Sequence, residues 1–197
     1  MILSRRFIIF FIFLFPLFSF SNEKIEQSKF FVENLGKQVV EKVSNINLSE
    51  NQRNINFRNL YLTSFDNYYI SRFVLGRYWG KLDDDLKRQF IESFNNYIVA
   101  TYTPKFKGWD GTFKAVDSLL DKNYYNVKMD VLNKDGPTLK LMWKIYLDKN
   151  KNFKILDVNI DGISMLVTQR AEFMAVIKNN PKGVIGLIEA MNKKVSG

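Results

Sequence analysis

Residues 65–106 read FDNYYISRFVLGRYWGKLDDDLKRQFIESFNNYIVATYTPKF, and the rest of the chain is organised around them. The first half is a dense apolar and aromatic cluster: Phe65, Tyr68, Tyr69, Ile70, Phe73, Val74, Leu75, Tyr78 and Trp79. A long helix follows. Asp83 is placed to cap it, and Asp84 and Asp85 put negative charge on the unpaired amides of its first turn. Leu86, Phe90, Phe94, Tyr97 and Thr101 recur on one stripe, with Ile91, Ile98 and Tyr102 beside it. That is helical spacing with a wide apolar face. Pro104 ends the helix. Such a stripe is by itself ordinary core. Aromatics in this number need a large volume opposite them, however, and 197 residues supply one domain.

Composition removes most enzyme chemistries. The chain has no cysteine, so it has no disulfide, no thiol nucleophile and no thiolate metal site. It has no histidine, the commonest general base and transition-metal ligand. Carboxylates, Lys and Tyr remain. The formal charge is +9, but Lys and Arg are scattered and often stand near Asp or Glu, with no basic run longer than a pair such as Lys193-Lys194. A solvated surface and a weak attraction to anionic membranes or acidic partners fit this pattern equally.

Residues 1–21 read as a secretory signal peptide. Arg5-Arg6 form the charged start, residues 7–18 the apolar stretch, and Ser19-Phe20-Ser21 the small-residue cleavage site. The apolar stretch is short for a membrane span and runs at once into polar sequence, which favours cleavage over an uncleaved anchor. Removing it takes two arginines and lowers the charge from +9 to +7. Residues 22–197 are then one domain exported to the periplasm. Within it, residues 23–43 predict a helix with Ile25, Phe30, Phe31, Val32, Leu35, Val39, Val40 and Val43 on its apolar side. Ser49 or Asn47 caps a second helix carrying Ile55, Phe57, Leu60 and Tyr61 to about residue 62. Asp66 caps a short helix to Phe73, and Gly76 marks a bend.

From Gly111 the apolar period changes to two. Strands are predicted at 112–119, 124–132, 139–147 and 153–160, joined by turn-rich segments at 133–137 and 148–152. In the fourth, Lys154, Leu156, Val158 and Ile160 are expected to face opposite Phe153, Ile155, Asp157 and Asn159. Gly162 and Ser164 open a helical segment with Ile163, Leu166, Val167, Phe173, Val176 and Ile177 as its apolar residues. Asn180 and Pro181 are expected to start a last helix with Val184, Leu187, Ile188, Met191 and Val195 on one face. The fold class is α+β: helices, an antiparallel meander of about four strands, then helices covering one face of the sheet.

Two stretches carry a resemblance. VLGRYW at 74–79 leads into RQF at 88–90, FNNY at 94–97 and TY at 101–102. Residues 154–178 read KILDVNIDGISMLVTQRAEFMAVIK, a D-V-x-I-x-G-x-S-M segment followed by a Q-R-x-E-F helix. Together they resemble the MlaC family, periplasmic phospholipid-binding auxiliary proteins of an ABC transport system, also called toluene-tolerance proteins. The likeness runs from about residue 65 to 191, with gaps through 108–123 and the turns. The LDD opening at 82–84 replaces the more familiar Thr-Pro helix start. The resemblance implies a twisted antiparallel sheet wrapped by helices, a nuclear-transport-factor-like cone with a hydrophobic cavity. It implies a phospholipid ligand, no other cofactor and no nucleic acid. The implied partners are an inner-membrane ABC transporter with its substrate-binding hexamer and an outer-membrane lipoprotein–porin complex, served by a monomer that maintains outer-membrane lipid asymmetry.

The residues themselves give no catalytic set. Asp157, Asp161, Ser164, Arg170 and Glu172 are the tempting polar group, but DGISM is not a nucleophile elbow and no histidine can activate Ser164. Cap and turn roles suit Ser164 and Asp161, and a surface or interelement pair suits Arg170 with Glu172. Arg72 and Arg77 flank the aromatic cluster and read as a solvated helix edge. No metal ligands are singled out. If a lipid binds, the apolar residues hold it. Each buried methylene is worth about 0.8 kcal/mol, so two acyl chains amount to tens of kcal/mol against water, close to what a bilayer offers. The residues expected to line the cavity are Phe73, Leu75, Trp79, Phe94, Ile98, Val127, Met129, Leu141, Trp143, Val158, Ile160, Phe173 and Leu187. The alternatives to a lipid carrier are a periplasmic adaptor without a ligand and an enzyme on a cone-like fold, the latter opposed by the missing His and Cys.

Overall fold

The computed structural model describes residues 19–134 and 136–196, with side chains from Asn22 onward. The expected signal peptide, 1–21, falls outside the described residues save for the backbone of 19–21. Six helices and five strands follow in the order α1 (Ser19–Lys42), α2 (Glu50–Ser64), α3 (Asn67–Leu75), α4 (Asp84–Tyr102), β1 (Thr112–Asp121), β2 (Tyr124–Leu132), β3 (Leu139–Leu147), β4 (Phe153–Ile160), β5 (Ile163–Ser164), α5 (Met165–Asn179) and α6 (Val184–Ser196). Short 3-10 turns at Gly76–Lys81 and Thr103–Phe106 flank α4. No described helix is long and apolar enough to cross a membrane.

The helix starts follow side-chain chemistry. Ser49 and Gln52 form a reciprocal capping box on α2. The carboxylate of Asp66 accepts the Tyr69 amide to start α3, and that of Asp83 accepts the Leu86 amide to start α4. Ser164 accepts the Val167 amide at the start of α5. The last helix departs from expectation. Asn180 spends its side chain on the Lys182 amide at 2.9 Å, and Gly183 takes φ +57°, so residues 181–183 form a turn and α6 begins at Val184.

The sheet is antiparallel, in the order β1-β2-β3-β4-β5. It has one strand more than expected. Asp161 (φ +49°) and Gly162 (φ +88°) are the two left-handed residues of a tight hairpin that folds Ile163-Ser164 back onto β4. The pairing slips between Lys144 and Ile145, so Ile145 faces Ile155 while Trp143 faces Val158. That bulge at Leu156 corrects the strict alternation expected for β4: Ile155 joins Val158 on the inner face, and Leu156 is buried as well.

α1 lies along the inner face of β1 and β2. Gly36 permits this, because a Cβ there would collide with the Phe113 ring. Buried Ser28 and Ser118 share a hydrogen bond of 2.7 Å, and Glu33 accepts the Ala115 amide at 2.8 Å. Phe30 on α1 and Ile55 on α2 are exposed, against expectation for both. Ile163, Val167 and Val195 also face solvent.

Candidate functional site

Two apolar cores form, not one. The helix core gathers Val74, Leu75, Trp79, Phe90, Phe94, Phe173, Leu187 and Met191 from α3 to α6. Its centre is aromatic: Phe173 meets Phe90, Phe94 and Tyr97 edge-on, with ring centroids 5.3–6.1 Å apart. The sheet core gathers Val32, Leu35, Val39, Leu60, Val127, Met129, Ile145 and Ile155 from α1, α2 and the inner sheet face. Half-buried Phe65 packs against both. Its ring lies 5.0 Å from Tyr61 and 6.5 Å from Trp143.

The thirteen residues expected to line a cavity divide along this line. Phe73, Leu75, Trp79, Phe94, Ile98, Phe173 and Leu187 belong to the helix core. Val127, Met129, Leu141, Trp143 and Val158 belong to the sheet core. Ile160 is half-buried and in neither. The division is physical: the helical residues project into the α3–α6 packing, while the strand residues face α1 and α2.

The cores are tied at the margin of β4. Phe65 bridges Ile155 as a single parallel pair, and the Asp66 amide donates to the Ile155 carbonyl at 3.0 Å. The Tyr146 hydroxyl donates to the Asp66 carboxylate. Burial and then that carboxylate push the Tyr146 pKa up to about 12. Burial also raises Tyr69, with Tyr124, Asp157 and Asp66 adding to it. Further along, Asp157 accepts from the Ser164 hydroxyl at 2.6 Å and the Leu166 amide at 3.0 Å, fixing α5 to the sheet.

Arg170 ties α5 to α3 within the helix core, without Glu172. It donates to the Phe73 carbonyl at 3.1 Å, and its guanidinium sits 5.1 Å from the Phe73 ring centre. It fills the space beside Gly76, where a Cβ would strike it, and Gly76 takes φ +49°. Glu172 instead accepts from Gln169 at 3.1 Å. Arg72 and Arg77 are exposed. Asp161 serves the turn, and Ser164 caps α5 with its hydroxyl held by Asp157. Among the described residues, no group of three or more acidic side chains converges as a metal site.

Recesses open on the described surface in at least two places. One, about 310 Å³, lies on the sheet among Val116, Lys128, Met129, Lys140, Leu141, Met142 and Asn159. Another, about 290 Å³, lies between α4 and α6 and is lined by Gln89, Glu92, Ser93, Asn96, Ile188 and Asn192. Both are open to solvent, at the small end of the ~300–1,000 Å³ usual for ligand pockets, and neither separates the cores.

Sequence reasoning passed over one buried charge. Arg53 is 3% exposed and donates to the carbonyls of Val43, Asn45 and Leu48 at 2.6, 2.9 and 3.0 Å. It closes the end of α1 and the following loop from inside, where the last carbonyls of a helix lack partners. It also passed over the enclosed hydroxyl of Tyr61 and the bridging place of Phe65. Only the position of Phe65 at the head of the aromatic cluster hinted at the last.

Comparison with known proteins places this architecture. Among curated proteins, none matches. The chain is similar to a phospholipid-binding protein from Ralstonia solanacearum, solved in complex with a phospholipid. Their TM-score is 0.71 at 18% identity, over 85% of this chain and 96% of that one. The family model described as MlaC protein matches residues 32–193, which takes in α2 to α5 whole, the second part of α1 and most of α6. By that match, with helices and antiparallel sheet in the order expected, the chain belongs to the MlaC family.

Proposed function

We propose that this protein is a periplasmic phospholipid carrier. It holds acyl chains between the sheet core and the helix core and leaves the headgroup outside. The observation that carries the reading is the phospholipid held by a solved protein whose fold covers 85% of this chain. The two separate cores support it: an acyl chain inserted beside Phe65 would push the clusters apart along an existing boundary, with no need to break either one. The lining residues are then drawn from both sides, Phe73, Leu75, Phe94, Ile98 and Phe173 facing Val127, Leu141, Trp143 and Val158.

In this reading residues 1–21 export the chain, and the mature monomer shuttles lipid between an inner-membrane ABC transporter with its substrate-binding hexamer and an outer-membrane lipoprotein–porin complex. That traffic maintains lipid asymmetry. The protein performs no covalent chemistry. Carriage requires that the cavity nearly match a bilayer in free energy, and an apolar seam without charged walls does so.

The test is transfer of a fluorescent phospholipid from donor to acceptor liposomes across a barrier that only the protein crosses. Transfer proportional to protein concentration supports the reading. Its absence supports the ligand-free adaptor, which the closed packing of both cores favours.

A further inference from the structure

Positive charge gathers where α3 ends. Residues 67–82 carry Arg72, Arg77 and Lys81 and no Asp or Glu. Arg170 reaches the same place from α5. Its guanidinium donates to the Phe73 carbonyl at 3.1 Å, sits 5.1 Å from the Phe73 ring centre and fills the space beside Gly76. Among the described residues, none of these four cations makes an ion pair. Glu172, the acid nearest Arg170 in sequence, accepts from Gln169 instead.

Arg170 is half-buried. Of the five N–H groups that an arginine carries, one is spent on the Phe73 carbonyl. Nε and Nη2 have no acceptor among the described residues. A tie between two helices needs one donor. An arginine fixed by a ring and a carbonyl, with donors to spare and no carboxylate at hand, is arranged for an anion, which a guanidinium meets with paired hydrogen bonds.

The boundary of the two cores opens beside it. α5 packs against both α3 and β4. Asp157 of β4 holds the Leu166 amide at 3.0 Å, and Arg170 follows Leu166 by one helical turn, about 6 Å along α5. Phe73 on α3 packs on the helix core and Val158 on β4 packs on the sheet core, yet both are only half-buried. Ile160, two residues beyond Val158 and paired with Leu141, is half-buried too. Val127 and Met129, on the same inner face beneath α1, are buried. Solvent therefore reaches the boundary between α3, α5 and β4, with Arg170 on the helix side of the opening.

We propose that Arg170 is the phosphate seat of the bound phospholipid, its free Nε and Nη2 hydrogens donating to the phosphodiester oxygens at the mouth of the seam. Arg72 and Arg77 add positive field around it. This rests on the carrier reading, for which the similar solved protein supplies the ligand class. It adds a selectivity that burial of hydrocarbon does not give. The phosphodiester is common to phospholipids and absent from diacylglycerol, so the seat selects the class of lipid and is blind to what lies beyond the phosphate.

The experiment offers lipid-stripped protein equal amounts of phosphatidylethanolamine and diacylglycerol of matched chains, delivered from cyclodextrin, and counts both bound lipids by native mass spectrometry. Arg170→Met is expected to lower the ratio of phospholipid to diacylglycerol about five- to tenfold, the worth of a charge-assisted contact partly screened by solvent. Arg170→Lys keeps the charge without the fork and should lower it about twofold. Arg88→Met, which breaks an exposed pair with Asp85 on α4, should leave it unchanged. A purely structural role predicts another pattern: Arg170→Met would weaken uptake of both lipids equally, and that result overturns the seat. So does an unaltered ratio. A second readout uses wild type alone. The Arg170 Nε–Hε resonance, identified by its absence from Arg170→Lys, should move further on loading with phosphatidylethanolamine than with diacylglycerol. If inorganic phosphate moves it in the lipid-free protein and phosphatidylethanolamine does not, the site takes a free anion and the lipid seat falls. Uptake of neither lipid by wild type overturns the carrier reading as well.

Discussion

Phe65→Ala removes the side chain that touches both cores. A fully buried Phe truncated to Ala costs about 3–5 kcal/mol, through lost transfer energy and the cavity left behind. Phe65 is half-buried, so the lipid-free protein should lose about 2–3 kcal/mol. At this chain length each kcal/mol moves Tm by about 2–4 °C, giving a fall of roughly 5–10 °C. The Phe65–Ile155 backbone bridge and the Asp66 cap do not involve the ring, so the connection itself should survive. Urea unfolding followed by circular dichroism should show a lower midpoint with an unchanged slope. The same titration on lipid-loaded protein separates core from seam. If an acyl chain lies beside Phe65, its methylenes occupy some of the void, and the loss should shrink to about 1 kcal/mol or less. A loss below about 1 kcal/mol in the lipid-free protein would refute the bridging role of Phe65. Equal losses with and without lipid would refute the placement of the chain.

Other substitutions probe the supports. Arg53→Met leaves three carbonyls without their donor inside the protein, and should cost about 3–4 kcal/mol in urea unfolding, with Arg53→Lys recovering some of it; a loss under 1 kcal/mol would mean those carbonyls find other partners. Tyr146 keeps its proton more tightly folded, near 12, than unfolded, near 10, so its contribution is complete below pH 10 and is lost as pH rises toward 12. Tyr146→Phe should therefore flatten the alkaline fall in stability over that window, as read from melting temperature against pH; an unaltered profile would assign the fall to other groups. Gly36→Ala should lower stability by about 1–2 kcal/mol despite alanine's better helix propensity, because α1 must move off Phe113; a stabilised variant would show that the ring yields freely.

Local signals in the sequence carried far. The bounds of β2, β3 and β4 follow from the two-residue period, and Ser49, Asp66, Asp83 and Ser164 sit where cap chemistry puts them. The fifth strand runs against the reading of residues 162–164 as the start of a helix, although Asp161-Gly162 is a turn pair between apolar runs. The β4 bulge was not legible, because nothing local marks which residue the pairing with β3 will skip. Asn180 was read as a cap because Pro181 follows it, but its side chain serves the turn. Arg53 is one polar residue in a polar helix, and its burial depends on carbonyls of Val43, Asn45 and Leu48 that only the fold brings around it. The division of the core was hidden for the same reason. Periodicity tells which side chains turn inward, and Phe94 and Val127 both do; which interior each shares is decided by how α3 to α6 sit against β4.

Native mass spectrometry of the protein recovered from the periplasm, under conditions gentle enough to keep non-covalent ligands, tests the carrier most directly. The account predicts a stoichiometric adduct that releases phospholipid on extraction. A clean ligand-free mass, with no uptake from labelled liposomes, would contradict it and leave a lipid-free adaptor on the same fold.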